Sequence, residues 1–274
     1  LPGAGPRSTP TPVAAINLVL LAGAVLLVSA TSLAESALVN LAGVLGAALT
    51  LAVFVYRERT RGPRILPRSA FATGSHLPFV YVVIALLAMA STAETFVPLF
   101  GDRLASMPPL AAGFLGAALA AGWTLGSMPS AGVSGRTRGT LIGLAPIVCA
   151  LGLAGLALTA RADASWALVA AWVALLLLAG VGVGIAWPHL PIAVMGAADE
   201  KHEQASAGAS FTTVQMVATA LGSALAGTLA NVGGVDGDAG DVAHAASLMY
   251  GAMALLVLLG TPAARRVGRR NRTG

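Results

Sequence analysis

Charge is scarce in this chain. Of its 274 residues only 10% are Asp, Glu, Lys or Arg, whereas 57% are hydrophobic and the mean hydropathy is +0.83. A soluble domain carries nearer a quarter of charged residues, so the composition reads as a polytopic membrane protein. Lysine is almost absent: Lys201 stands alone beside fifteen Arg, and with so much Ala and Gly this bias points to a GC-rich bacterial genome. Cys149 is the single cysteine, so no intrachain disulfide can form and the redox compartment is not indicated. It lies in an apolar run and reads as a buried structural thiol. There is no metal-ligand cluster, no phosphate-binding Gly loop and no GxxxxGK[ST] motif, so no metal, cofactor or nucleotide is expected.

What remains is organised by hydrophobic runs. Eight occur, at 13–30, 37–56, 79–100, 109–129, 140–160, 166–188, 206–231 and 243–263, each of about the length that crosses a bilayer. Gly122 with Gly126, and Gly180 with Gly184, are i,i+4 pairs that let helices approach closely. The net charge of +5 and the pI of about 10.3 would suggest nucleic acid in a soluble protein. Here topology explains them better. One set of loops and ends holds fourteen basic residues: Arg7, Arg57, Arg59, Arg61, Arg64, Arg68, Arg136, Arg138, Lys201, Arg265, Arg266, Arg269, Arg270 and Arg272. The alternate loops hold only Arg103 and Arg161. The positive-inside rule then places both termini in the cytoplasm. Asp236, Asp238 and Asp241 fall in one outer Gly-rich turn, read as a solvated loop.

Glu94, in FVYVVIALLAMASTAETFVPLF (79–100), is the only Asp, Glu, Lys or Arg well inside a run. A charged carboxylate facing lipid costs at least about 3 kcal/mol, so Glu94 is expected to face protein or a wet cavity. Counting ~1.5 Å per residue along a continuous helix puts it in the outer third of the membrane. Two readings stand. In one, Glu94 is a hydrated helix end without consequence. In the other, it binds a proton and a cation by turns, because a buried carboxyl keeps its proton until an arriving cation releases it.

Three segments resemble the major facilitator superfamily, especially its fourteen-span drug:proton antiporters. VYRERTRGPRILPRSAF (55–71) is similar to the join between the central helix pair and the C-terminal six-helix half. SAGVSGRTRGTLIGL (130–144) resembles the basic gating loop, with Arg136 and Arg138 in place but without its usual Asp. QASAGASFTTVQMVATALGSALAGTL (204–229) resembles the penultimate span. The resemblance covers nearly the whole chain and leaves the family's first six spans without a counterpart. With the Pro-rich opening LPGAGPRSTPTP reading as a loop rather than a signal peptide, a piece of a longer transporter is expected.

That resemblance implies an all-α integral membrane protein of eight transmembrane helices. It divides into an N-terminal loop and accessory pair (1–56), a basic cytoplasmic linker (57–78), a six-helix bundle (79–263) and a basic tail (264–274). The linker reads either as a topogenic loop near acidic headgroups or as a hinge. The implied function is export of small amphipathic or drug-like compounds across the plasma membrane, by proton antiport and alternating access. A metabolite or sugar carrier of the same fold, or a non-transporting scaffold or truncated product, are the alternatives. The partners implied are substrate, protons, lipid, and the missing six-helix half or a second copy. Candidate site residues are Glu94, Gln215, Thr212 and Trp123, with Arg136 and Arg138 in the gating loop.

Each candidate also has a plainer reading. Thr212, Thr213 and Gln215 suit interhelical hydrogen bonds. Trp123 suits packing as well as stacking on a flat cation. Trp166 and Trp187 near run ends suit interfacial anchoring, and His189 between Pro188 and Pro191 suits a helix end. Of the prolines, Pro146 is the one placed to bend a span. GVSG (132–135) superficially matches the nucleophile motif of rhomboid-type intramembrane proteases, but Ser134 beside Arg136 and Arg138 lies in a loop. That chemistry needs a serine at membrane depth with a His partner, so an enzyme is not expected.

Overall fold

The computed structural model describes residues 12–31, 34, 36–60, 66, 70, 74–196 and 201–270, and every regular element among them is helical. In order they are α1 (Pro12–Thr31), α2 (Ala37–Thr60), α3 (Leu77–Ser91), a 3-10 turn (Thr92–Phe96), α4 (Val97–Ala105), α5 (Pro109–Ser130) and α6 (Gly135–Thr159). Then follow α7 (Trp166–Ala186), α8 (His189–Met195), α9 (Lys201–Val232), α10 (Ala239–Leu258) and α11 (Thr261–Arg270). Seven stretches of the described residues are long and apolar enough to cross a membrane: Leu38–Thr60, Leu77–Ala105, Pro109–Ser130, Gly135–Thr159, Trp166–Met195, Ala207–Val232 and Ala239–Arg269. Within α1 the apolar stretch Ala15–Thr31 is shorter.

Three of these stretches are interrupted, each beside a proline; in Ala239–Arg269 the break lies at Leu259 and Gly260, before Pro262 in the first turn of α11. Leu77–Ala105 is α3 and α4 joined through the 3-10 turn, with Pro98 in the first turn of α4. Proline supplies no N–H and clashes with the preceding turn, so the α-helical ladder stops there. Trp166–Met195 is α7 and α8, separated at Trp187 and Pro188. Pro146, where a bend is expected, lies inside α6, which is not interrupted there.

Small residues set the tightest contacts. α5 lies against α7 with Gly122 facing the Leu177 backbone and Gly184 facing the Trp123 backbone, so that a Cβ at either site would overlap a main-chain carbonyl. On another side of α7, Gly182 meets the backbone of Cys149 in α6, and that thiol is buried. α7 is therefore held between α5 and α6 by backbone-to-backbone approach, as small-residue spacing permits in membranes. Ser247 of α10 adds a bond to the Ala157 carbonyl of α6 at 2.8 Å.

Asp236, Asp238 and Asp241 are all exposed in and beside the turn before α10, and the basic tail is helical through Arg270. Asp238 caps α10, accepting from the Gly240 and Asp241 amides, while Asp241 accepts from the Asp238 amide. α11 then folds back on the bundle, burying Ala263, Ala264 and Val267 and seating Gly268 on the Gly139 backbone of α6. Arg265, Arg266 and Arg269 stay on its outer side, with Arg266 over the Phe79 ring at 4.5 Å.

The bundle shares one continuous core from Leu77 to Val267. α1 and α2 join it through a separate small cluster, in which Ala24, Val28 and Ala47 meet Ala224 of α9.

Candidate functional site

The break in the Leu77–Ala105 stretch places Glu94 on a 3-10 turn rather than on a continuous α-helix. Short 3-10 segments inside helices tighten the backbone and mark hinges or strain. The turn is fixed by its neighbours: Gly222 of α9 lies against Met89 and Thr92, and Pro98 packs on Gly116 of α5. Thr92 spends its hydroxyl on the Met89 carbonyl at 2.7 Å. The Glu94 side chain is half-buried and has no hydrogen-bond or ion-pair partner among the described residues. The carboxylate is thus positioned by packing of its backbone, with its own oxygens uncommitted.

The second grouping is aromatic. Trp123 of α5 meets Trp187 edge-on with ring centroids 4.7 Å apart, and Trp187 meets Phe211 of α9 at 6.0 Å. Trp187 therefore packs against rings of two other helices, whereas Trp166 is exposed at the start of α7. All three clustered rings remain half-buried, leaving aromatic surface available. Gln215 lies one turn along α9 from Phe211, half-buried and without a side-chain partner among the described residues. Thr212 is exposed and Thr213 half-buried. Both return their hydroxyls to their own helix, at Gly208 and Ala209, so they are not the interhelical bonders expected.

The residues thus fall in two places. Trp123 and Gln215 lie near the Trp187–Phe211 contact, while the 3-10 turn of Glu94 packs farther along α9, at Gly222 and Gly227. The structure does not bring Glu94 together with the aromatic group.

Arg136 and Arg138 lie on the first turn of α6 rather than in a loop. Arg136 is exposed; Arg138 is half-buried, with its Nε lacking a hydrogen-bond partner. Next to them is a pair that the sequence did not reveal. His189 is buried, with Nε2 2.8 Å from the Ser130 hydroxyl, and Ser130 donates its proton to the Ile185 carbonyl at 2.7 Å. Since that hydroxyl has one proton, already given to the carbonyl, His189 must be the donor in the pair. A serine held this way is an acceptor locking α5 to α7 and α8, not an activated nucleophile. Ser134 is separate from it, exposed at the N-terminal cap of α6.

A further buried polar group was also missed. Glu58 is 0% exposed: Asn17 of α1 donates to its Oε1 at 2.6 Å and the Leu66 amide to its Oε2 at 3.0 Å. Arg57 Nε reaches the Asn17 amide oxygen at 3.4 Å. The signal was present in Asn17, the one amide in an otherwise apolar run, which demands a partner when buried.

No family model matches the chain. Two curated proteins of Mycobacterium tuberculosis, from strains CDC 1551 / Oshkosh and ATCC 25618 / H37Rv, are each 40% identical to it over 258 residues. Each is named a probable multidrug-efflux transporter. The match takes in 93% of this chain and 53% of each relative, so the chain spans about half the length of the curated relatives it matches.

Proposed function

We propose that the chain is part of a secondary transporter that exports small amphipathic, drug-like compounds by proton antiport and alternating access. The observation that carries this reading is the 40% identity, across nearly the whole chain, to proteins named probable multidrug-efflux transporters. In this reading α1 is the eighth span. α1 and α2 form the accessory pair, and the helices from Leu77 onward form the C-terminal bundle of a major-facilitator-like fold, in a bacterial plasma membrane. Both ends face the cytoplasm, by the fourteen-to-two distribution of basic residues. The missing six-helix half, or a second copy, supplies the opposing wall of the pathway.

In this reading each candidate residue has a role that its geometry allows. Glu94 exchanges a proton for a cationic substrate, since its oxygens are uncommitted. Trp123, Trp187 and Phe211 offer faces and edges to flat aromatic cations, with Gln215 as a neighbouring hydrogen-bonding group. Arg136 and Arg138 sit at the cytoplasmic gate. The test is uptake of a fluorescent lipophilic cation into inverted membrane vesicles from cells expressing the full transporter. Accumulation that follows an imposed proton gradient supports the reading, and accumulation no greater than in vesicles without the protein sinks it.

A further inference from the structure

Between the accessory pair and the bundle lies a cleft of about 500 Å³. Its walls come from four helices: Leu21 of α1, Leu51 and Phe54 of α2, Met89 of α3, and Val217 of α9 among them. At one end it is closed by the small cluster of Ala24, Val28, Ala47 and Ala224. From there it widens toward the ends of α2 and α3 that flank the 57–78 linker, where Arg59 forms its rim. The cleft is a wedge between the accessory pair and the bundle, running along α2 from Leu51 to Arg59.

Its chemistry is asymmetric. The polar side chains on its walls are spent internally: Tyr81 bonds Ser210 at 2.6 Å and Thr213 bonds the Ala209 carbonyl at 2.9 Å. Among the described residues no carboxylate lines it. The charged group among the described residues on its lining is Arg59, at the end of the i,i+4 ridge Leu51, Val55, Arg59 that forms the α2 wall. Arg59 is engaged within the protein and also exposed to the outside, and its guanidinium carries five donors in a fork that fits a phosphate. An occupant must therefore present an apolar chain to the walls and an anion at the rim.

We infer that the wedge is a binding site for one anionic phospholipid, with an acyl chain between the accessory pair and α3/α9 and its phosphate on Arg59. A neutral or polar solute finds no partner on these walls. A phospholipid of the same leaflet matches both the apolar length and the charge at its end.

The test is native mass spectrometry of the purified chain titrated with phosphatidylglycerol or with phosphatidylcholine. Wild type should retain one phosphatidylglycerol and prefer it over phosphatidylcholine about fivefold, the size of one juxtamembrane cation's contribution. Arg59→Gln, at an exposed position that should not disturb folding, should abolish that preference and leave phosphatidylcholine binding unchanged. Arg59→Lys should keep part of it. Val217→Trp, which fills the wedge, should reduce retention of both lipids. An unchanged preference in Arg59→Gln, or undiminished retention in a folded Val217→Trp protein, overturns the inference.

Discussion

At Glu94 a carboxylate sits on a 3-10 turn with no partner among the described residues, and that is where proton coupling can be isolated from packing. Gln preserves the size and hydrogen bonding of the side chain but cannot exchange charge. Glu94→Gln should therefore abolish drug-dependent proton release from vesicles for a cationic drug at unchanged protein level. Glu94→Asp should keep part of it, with the carboxylate drawn back by one methylene. Equal release in wild type and Glu94→Gln would return Glu94 to a hydrated helix turn, because removing a charge from the membrane only relieves a cost. His189 makes a different kind of prediction. Ser130→Ala leaves its buried Nε2–H unpaired, which costs about 1–3 kcal/mol, and should lower the thermal midpoint of the detergent-solubilised protein. Ser134→Ala, at an exposed cap, should leave the midpoint nearly where it was. Glu94 was legible in the sequence because a lone carboxylate in an apolar run needs an explanation. Ser130 with His189 was not, because the pair joins residues on different helices and neither is unusual alone; of Asn17 with Glu58 only the lone amide gave a signal, and nothing local named its partner.

Among the elements, the close approach of α5 and α7 was readable from glycine spacing alone, since four-residue steps put Gly122 with Gly126, and Gly180 with Gly184, on single faces. The structure adds which backbone each one meets. Gly180→Val would press its side chain into the Leu119 carbonyl and the Trp123 amide. Backbone cannot swing aside as a side chain can, so the substitution should cost at least the roughly 1–3 kcal/mol of ordinary overpacking. Gly113→Ala, on the same α5 but in open space, should be neutral or slightly stabilising, and melting curves of the two variants decide the matter. If Gly180→Val melts like wild type, α5 and α7 are not held by this contact. The proline breaks were less readable. Pro146 and Pro98 look alike in sequence, yet one is absorbed by α6 and the other begins α4. In a membrane the outcome depends on whether neighbouring groups satisfy the backbone that a proline frees, which local sequence does not record. α11 was hidden for another reason: its arginines dominate the reading of 264–274, while Ala263, Ala264 and Val267 supply a narrow apolar face that becomes buried only once α6 is placed.

For the molecule as a whole, orientation rests on the basic residues, and the structure shows how to test it without disturbing the fold. A probe is needed on each side of the membrane. Thr60, exposed at the end of α2, serves for the side with the basic linker. Gly237 lies in the opposite loop but is a poor choice, because a Cβ there would strike the Asp241 side chain that completes the α10 cap, and its carbonyl accepts from Arg103 at 2.6 Å. The neighbouring Asp236 is exposed and makes no such contact. The background also needs care, since Cys149 packs against the Gly182 backbone; Cys149→Ser changes its volume least and, being buried, should not open the surface. With Thr60→Cys and Asp236→Cys made singly in that background, an impermeant thiol reagent added to intact cells should label 236 and leave 60 untouched. In inverted vesicles the pattern should reverse. Thr60 ends its apolar stretch, Asp236 lies between two stretches and both are exposed, so reagent access reports sidedness rather than burial. Labelling of 60 but not 236 in intact cells would overturn the orientation. With it would go the placement of Arg136 and Arg138 at a cytoplasmic gate, although the helix packing, the Glu94 turn and the lipid wedge would stand unchanged.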